Sequence, residues 1–468
     1  MYKTVCIILK NKDVELRNYC SSQCKKAKLL KNSVTYRLRQ LFFAWQKDYI
    51  DLSEHEKEVL DEFMTTYDKY SSINKDHMFP TYNQFERMFR NTKNPDFFNG
   101  LPAHASQYLI KNGLQDFKSY FNALKKYRKD LSKFTSKPKL PKYAKNNEVT
   151  FSSSNQECKI INGQLKLPKL NTRLNLGSMK ITDDMRLYRI QIKPYYDTYK
   201  VCIIFEVSNS SKVANELNKK NVLGIDLGVD NIVSTSNNCG LSPFVIKGNA
   251  IKSRNQWYNK LLANYTSKLR ISTSKNSRYS SKRIQQLNMY RNNYVNDKYN
   301  KIASYIVNYC KDNDIGTIVI GKNDQWKSEI DMRKKDNQNF VYISHSVLVN
   351  KIKMMAMNIG INVIEQEESY TSKASFLDND DIPNYSKYED DENKKAKKDE
   401  KDTKTSSYKY KFSGKRIKRG LYKTKYGILI NADVNGASNV IRKALGNNVF
   451  DDIQNFDYLI KTVVAVRI

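Results

Sequence analysis

Residues 222–235, VLGIDLGVDNIVST, decide how the rest of the chain is read. A short apolar run leads into Asp226 and Gly228, and a second apolar run follows at once. Apolar segments of this length, separated by a carboxylate and a glycine, read as two buried strands joined by a polar turn. Asp226 then stands at the exposed end of the first strand, and Gly228 beside it allows close approach of a phosphate backbone. Asp is also an ordinary strand-end and helix-cap residue, so this position alone does not establish chemistry.

Downstream, a further strand is expected at PFVIKG (243–248), followed by long polar helices and a strand in IGTIVIGKN (315–323). A helix near 346–359, a strand in INVIEQEE (361–368) and a strand-to-helix junction in GILINADVNGASNVIRKAL (427–445) complete the series. Three early strands, then strand and helix in alternation, is the element order of an RNase H-like fold. Asp433 lies at the last junction. Gly436, Ala437 and Ser438 behind it let that helix pack tightly on a sheet and bring Asp433 toward Asp226. Hydrolysis of a phosphodiester by two Mg²⁺ ions needs several carboxylates converging from different elements. Mg²⁺, with Mn²⁺ as an alternative, is therefore the expected cofactor.

Upstream, residues 1–10 alternate as one strand and the chain then turns helical. Ser53 and Glu56 form a capping-box pattern, with Leu60, Phe63, Met64 and Tyr67 on one face of the helix that follows. A second stripe runs through Ile110, Leu114, Phe117, Phe121 and Leu124. The prolines of KPKLPKYAK (137–145) are expected to stop this helix. The period then changes to two: EVTFSS, CKIINGQLKL with an Asn162-Gly163 turn, YRIQIKP and YKVCIIFEVS read as strands of a small antiparallel barrel or sheet that the N-terminal strand joins.

The charge balance names a partner class. Lys and Arg number 81 against 48 acids, a net +33, and 32 tyrosines are interleaved with the cations. A polyanion relieves such self-repulsion by releasing its counterions, and rings beside cations suit stacking on unpaired bases. No apolar run reaches the roughly 18 residues of a membrane span and no cleavage-site pattern follows the start, so a soluble intracellular protein without a membrane partner is expected. Seven scattered cysteines and four histidines read as reduced thiols without a His/Cys zinc site. Cys20 and Cys24 lack partners for a metal. Residues 384–407 carry almost no apolar side chain and are expected to form a mobile loop, and Gly414–Gly427 holds six basic residues and no acid.

GIDLGVDNI, IVIG, TSK and ADVNGASNVIRK resemble the RuvC-type motifs of the TnpB family. These are transposon-encoded RNA-guided DNA nucleases, also called OrfB, related to type V CRISPR effectors and to Fanzor proteins. NSVTYRLRQLFFAW, LPAHASQYLIKNGLQDFKSYFNAL and KPKLPKY resemble the family's helical segment and the entry to its wedge barrel, so the resemblance spans nearly the whole chain. ADVNGASNVIRK is its most specific element.

The resemblance implies an α/β and α+β multidomain chain. Residues 1–11 would supply the first strand of a wedge β-barrel, 12–136 a helical recognition domain, 137–215 the rest of the barrel, and 216–468 an RNase H-like (RuvC) nuclease domain. Within the last, 371–430 would be a zinc-ribbon-like insertion that lacks cysteines and contains the charged loop, so no zinc is expected there. The family's strand equivalent to IVIG commonly ends in a catalytic glutamate, whereas here Gly321 stands in its place. Rearranged members carry that glutamate just before a Thr-Ser pair, the position of Glu368 before Thr371. Asp226, Glu368 and Asp433 are then the catalytic, metal-binding set, with Glu367, Asp324 and Glu329 as alternatives to Glu368.

Guide RNA and target DNA are the implied partners in a prokaryotic, nucleoid-associated cytoplasmic setting. Arg278, Lys282 and Arg283 would contact nucleic-acid backbone or form a solvated helical face, and Lys415, Arg416, Lys418 and Arg419 belong to the nucleic-acid-binding set. The competing reading is a nuclease-dead RNA-guided repressor, suggested by Gly321, while a compact type V effector would share the chemistry. A transposase that cuts and joins ends would need a joining activity for which no separate motif is present.

Overall fold

A computed structural model describes residues 2–66, 79–177, 181–208, 217–271, 280–322, 343–384, 410–460 and 463–468. The chain is a mixed α/β protein in two compact units, Met1–Ser211 and Lys212–Ile468.

The first unit opens with strand β1 (Tyr2–Ile8), followed by helices α1 (Val14–Ala44), α2 (Glu54–Met64), α3 (Tyr82–Asn91) and α4 (Ala103–Lys129). Helix α2 starts on the expected capping box: Ser53 Oγ accepts from the Glu56 amide at 3.3 Å, and Glu56 Oε2 accepts from the Ser53 amide at 2.8 Å. Its buried apolar face is Val59 and Phe63, with Leu60 half-buried and Met64 exposed, so the stripe lies one residue back from the expected one; Tyr67 lies outside the described residues. In α4 the buried line runs through Ala105, Leu109, Gly113 and Phe117 together with Ile110, whereas Leu114, Phe121 and Leu124 are half-buried. Small residues set this line: a Cβ on Gly113 would meet Val34 Cγ1 of α1 at 2.4 Å, so the two helices pack through the glycine. Helix α4 ends at Lys129, well before the prolines, and Asp130 caps a short 3-10 turn over Leu131–Lys133.

Two antiparallel sheets follow. β2 (Phe151–Ser154), β6 (Met185–Tyr195) and β7 (Thr198–Val207) join β1 in the order β1-β7-β6-β2. β3 (Lys159–Ile161), β4 (Gln164–Lys166) and β5 (Arg173–Asn175) form a separate three-stranded sheet, and among the described residues no ladder closes the two into one barrel. Asn162 and Gly163 both take positive φ, 50° and 68°, the conformation of a two-residue hairpin turn.

The second unit is built on a six-stranded sheet. β8 (Val222–Asp226), β9 (Asn231–Asn237), β10 (Phe244–Lys247), β11 (Thr317–Lys322), β12 (Asn362–Glu367) and β16 (Val464–Val466) take the order β12-β11-β8-β9-β10-β16. β8, β11 and β12 are parallel, and β9 runs antiparallel to both its neighbours. Helices α5 (Asn249–Ile271), α6 (Lys282–Asp312), α7 (His345–Asn358) and α8 (Ala432–Leu445) accompany it, with a small sheet of β13 (Lys415–Lys418), β14 (Leu421–Lys423) and β15 (Leu429–Asn431). The three-residue β16 was not expected, because so short a run carries no period.

The strand period sorts β8 between two cores. Leu223 and Ile225 join Ile318, Ile320 and the buried faces of α6 and α7, whereas Val222 lies with Val319, Val440 and Ile441 beneath α8. Gly224 and Asp226 share the Val222 face by the same alternation. A Cβ on Gly224 would stand 2.5 Å from the Ala437 carbonyl oxygen and 2.5 Å from Ile441 Cγ1. Backbone cannot yield there as a flexible side chain would. Gly224→Ala should therefore destabilise the chain by about 1–3 kcal/mol, the usual cost of overpacking. Thermal unfolding of the two proteins measures this, and an unchanged midpoint would contradict the close packing.

Candidate active site

Asp226 ends β8 on the face covered by α8. A Cβ on Gly436 would lie 2.8 Å from Asp226 Oδ2, so the glycine one turn into α8 is the space in which this carboxylate sits. Asp433 lies in the first turn of α8, where Asn431 caps the helix by accepting from the Asp433 and Val434 amides. Its Oδ2 accepts from Asn231 Nδ2 at 2.7 Å. The third carboxylate arrives from β12. Gly321 follows Ile320, which pairs with Ile225 in the β8–β11 ladder, so it stands next to Asp226. A Cβ there would be 2.9 Å from Glu368 Oε2: the Glu368 carboxylate fills the space that Gly321 leaves.

Local backbone chemistry explains why Glu368 points this way. The Thr371 amide and hydroxyl both donate to the Glu368 carbonyl, at 3.2 and 2.8 Å, closing a tight turn with Tyr370 at φ 65°. Two buried asparagines of α8 hold the turn in place. Asn439 Nδ2 donates to the Thr371 and Ala374 carbonyls at 2.9 and 2.7 Å, and Asn435 donates to Ala374 at 2.8 Å while accepting from the Phe376 amide. Glu367 is directed elsewhere, to Lys443 at 2.6 Å; burial opposes its ionisation, but Lys443 and Ser369 hold it below the ordinary glutamate range. Asp324 and Glu329 lie outside the described residues.

The electrostatics report the convergence. Asp226 is held well above its ordinary value, first by burial and then by the Glu368 and Asp433 charges, with Arg416 acting in the opposite direction. Arg416 of β13 reaches Asp433 Oδ1 at 3.3 Å. Arg419 pairs with Asp230, which also binds Lys252; burial opposes ionisation there too, but the two cations keep Asp230 below its ordinary range. Two members of the basic hairpin, Arg416 and Arg419, therefore pair with acids, and all four, with Lys415 and Lys418, are exposed. Lys282 and Arg283 open α6, exposed, with Arg283 over the Tyr265 ring at 5.4 Å; Arg278 and all of 384–407 except Asn384 lie outside the described residues.

Residues 202–327 match the OrfB_IS605 family, described as a probable transposase. Over that segment the chain is similar to this family. The matched segment includes Asp226 and Gly321 and stops before Glu368 and Asp433. The chain is also similar, at 15% identity and TM-score 0.47, to a protein in a structure titled "Cryo-EM structure of the Cas12f1-sgRNA-target DNA complex", over 92% of this chain and 83% of that one. A second, "Cryo-EM structure of CRISPR-Cas12f Ternary Complex", aligns at 14% identity and TM-score 0.33 over 92% and 85%. No curated protein matches. Among the described residues no helix is long and apolar enough to cross a membrane.

Asn231, Asn435, Asn439 and the inward turn of Arg416 were not read from the sequence. The signal for the asparagine pair was there: two amides four residues apart on a helix that otherwise buries small and apolar side chains. Among the described residues no three His, Cys, Asp or Glu side chains surround one point as ligands of a single ion. The donor set is nevertheless all oxygen, the chemistry of a hard divalent cation, and in a two-ion site the three carboxylates divide between the ions.

A carboxyl raised by folding favours the protonated form, so its stabilising contribution is full below its ordinary value of 3.8 and is lost as pH rises through the folded value. Asp226→Asn, which cannot ionise, should therefore melt higher than the parent at pH 8 in chelator, and the gain should vanish toward pH 4. Melting curves across this range measure it, and a lower midpoint for the variant at pH 8 would contradict the like-charge origin of the shift.

Proposed function

We propose that the chain is an RNA-guided DNA endonuclease with a RuvC-type site of Asp226, Glu368 and Asp433 on an RNase H-like sheet. The observation that carries this reading is the Glu368 carboxylate seated in the space of the missing Gly321 side chain, beside Asp226. The strand order β12-β11-β8-β9-β10, the OrfB match and the net charge of +33 support it. Sequence choice would be delegated to guide pairing, with the wedge and helical segments reading a short target-adjacent motif.

Asp226, Glu368 and Asp433 would hold two Mg²⁺ ions, which when bound would supply the charge that activates a water and stabilises a leaving oxygen. The chain's own part is placement. Asn231 orients Asp433 from β9, Thr371 fixes the backbone from which Glu368 reaches in, and Gly436 keeps Asp226 close to α8. Arg416 spans from the hairpin to Asp433, where its guanidinium can exchange the carboxylate for a phosphate oxygen.

That same ion pair favours the second reading, guide-directed binding without cleavage, because it leaves Asp433 engaged. Protein expressed with its native flanking DNA and supplied with Mg²⁺ on a randomised-flank target library separates the two. A discrete copurified RNA and guide-dependent cuts are expected; binding without cuts would install the repressor.

Asp226→Ala, Asp433→Ala and Glu368→Gln should keep the RNA and lose cleavage by more than the roughly 10–100-fold that removal of an outer-shell partner costs. Gly321→Ala is the sharper test. The clashing atom is the end of a flexible side chain, so the fold should persist while the displaced Glu368 carboxylate lowers the cleavage rate; full activity in this variant would remove Glu368 from the site. Guide affinity should also fall steeply between about 50 and 200 mM salt, as counterion release requires, and a flat response would contradict backbone binding.

A further inference from the structure

The sheet of the first unit carries a pair of cysteines that the nuclease reading does not use. The β1–β7 ladder sets Cys6 directly opposite Cys202. The Leu9 amide donates to the Tyr199 carbonyl at 3.0 Å, one step beyond the Ile8–Lys200 pair, so Leu9–Tyr199 is a hydrogen-bonded pair. Alternation along an antiparallel ladder then makes Cys6–Cys202, three steps away, a non-hydrogen-bonded pair. At such a pair the Cα atoms lie about 4.5 Å apart and the side chains converge. That spacing falls within the roughly 4.4–6.8 Å found across disulfides.

Their exposure is unequal: Cys6 is exposed and Cys202 is 4% exposed. Lys200 shares the face of Cys202, and Lys193 of β6 pairs with Lys200 in the β6–β7 ladder. A hydrogen bond from Cys202, helped by Lys200 and Lys193 and opposed by burial, brings the Cys6 thiol down to about 7. Burial pushes Cys20, Cys158 and Cys310 up to about 12 and also raises Cys24 and Cys239. The thiolate is the reactive form, so the chemistry is selective for Cys6.

We propose that Cys6 and Cys202 are a redox site, a cross-strand dithiol that peroxide closes to a disulfide and a thiol reductant reopens. The Cys6 thiolate attacks one peroxide oxygen, the O–O bond breaks, and hydroxide leaves with Cys6 as a sulfenic acid. Cys202 then attacks that sulfur, the S–O bond breaks and its oxygen departs as water, taking up the proton that Cys202 gives up. Two thiols are oxidised by two electrons and one peroxide is reduced to two waters. The product fastens the edge strand β1 to the centre of its sheet.

The test uses the full chain, reduced, desalted and exposed to limiting hydrogen peroxide, then blocked with N-ethylmaleimide and digested without reductant. Mass spectrometry should find the Cys6 and Cys202 peptides joined and about 2 Da lighter than their sum. The other five of the seven cysteines should be alkylated, and dithiothreitol should undo the link. Cys202→Ser should stop at a dimedone-trappable sulfenic acid on Cys6, and Cys6→Ser should leave Cys202 reduced. Oxidation of folded parent protein to a Cys6 sulfinic acid without a link, or spread evenly over all its cysteines, would overturn the proposal.

Discussion

Like charges brought to one place repel, and burial removes the water that would damp them. Asp226 bears this cost, with Glu368 and Asp433 acting on it from two sides. Much of the second unit around the sheet end answers that repulsion. Asp433 lies in the first turn of α8, at the positive end of the helix dipole, and takes bonds from Asn231 and Arg416. Glu368 is anchored through its own backbone by Thr371, and that turn is tied to α8 by Asn435 and Asn439. An arrangement that gathers like charges and uses hydrogen bonds to orient them is what the proposed two-ion chemistry calls for.

Legibility followed pattern length. VLGID and the small-residue helix after Asp433 announced themselves because a buried strand ending in a carboxylate, and glycine next to alanine and serine in a helix, are local signals. Glu368 had no such signal, since an acid at the end of a strand rich in acids is indistinguishable from its neighbours Glu365 and Glu367. Only the resemblance to rearranged family members singled it out. What separates the three in space is their partners: Glu365 faces Lys322 and Lys353, Glu367 faces Lys443, and Glu368 faces Gly321. Partners that lie tens of residues away in sequence leave no trace in a period.

The basic, tyrosine-rich segments divide in the same way. Composition assigned them to nucleic acid, but part of their charge meets partners within the protein. Arg254 lies over Trp257, Tyr290 and Tyr294 at 5.0, 5.0 and 4.4 Å, and Tyr299 is 1% exposed in the core. Arg416 and Arg419 serve acids of their own unit, and exposed cations such as Lys415, Lys418 and Lys282 remain on the surface. A count of charges thus overstates the footprint that an RNA or DNA can use, while its sign stands.

The vacancy at Gly321 and the occupant from Glu368 also bear on descent. Because one space serves both positions, the two are coupled: a glutamate placed at 321 while Glu368 stays would crowd two carboxylates into a space that holds one, and removing Glu368 first would leave that space empty. Neither single change carries the carboxylate from one strand to the next; only the pair does.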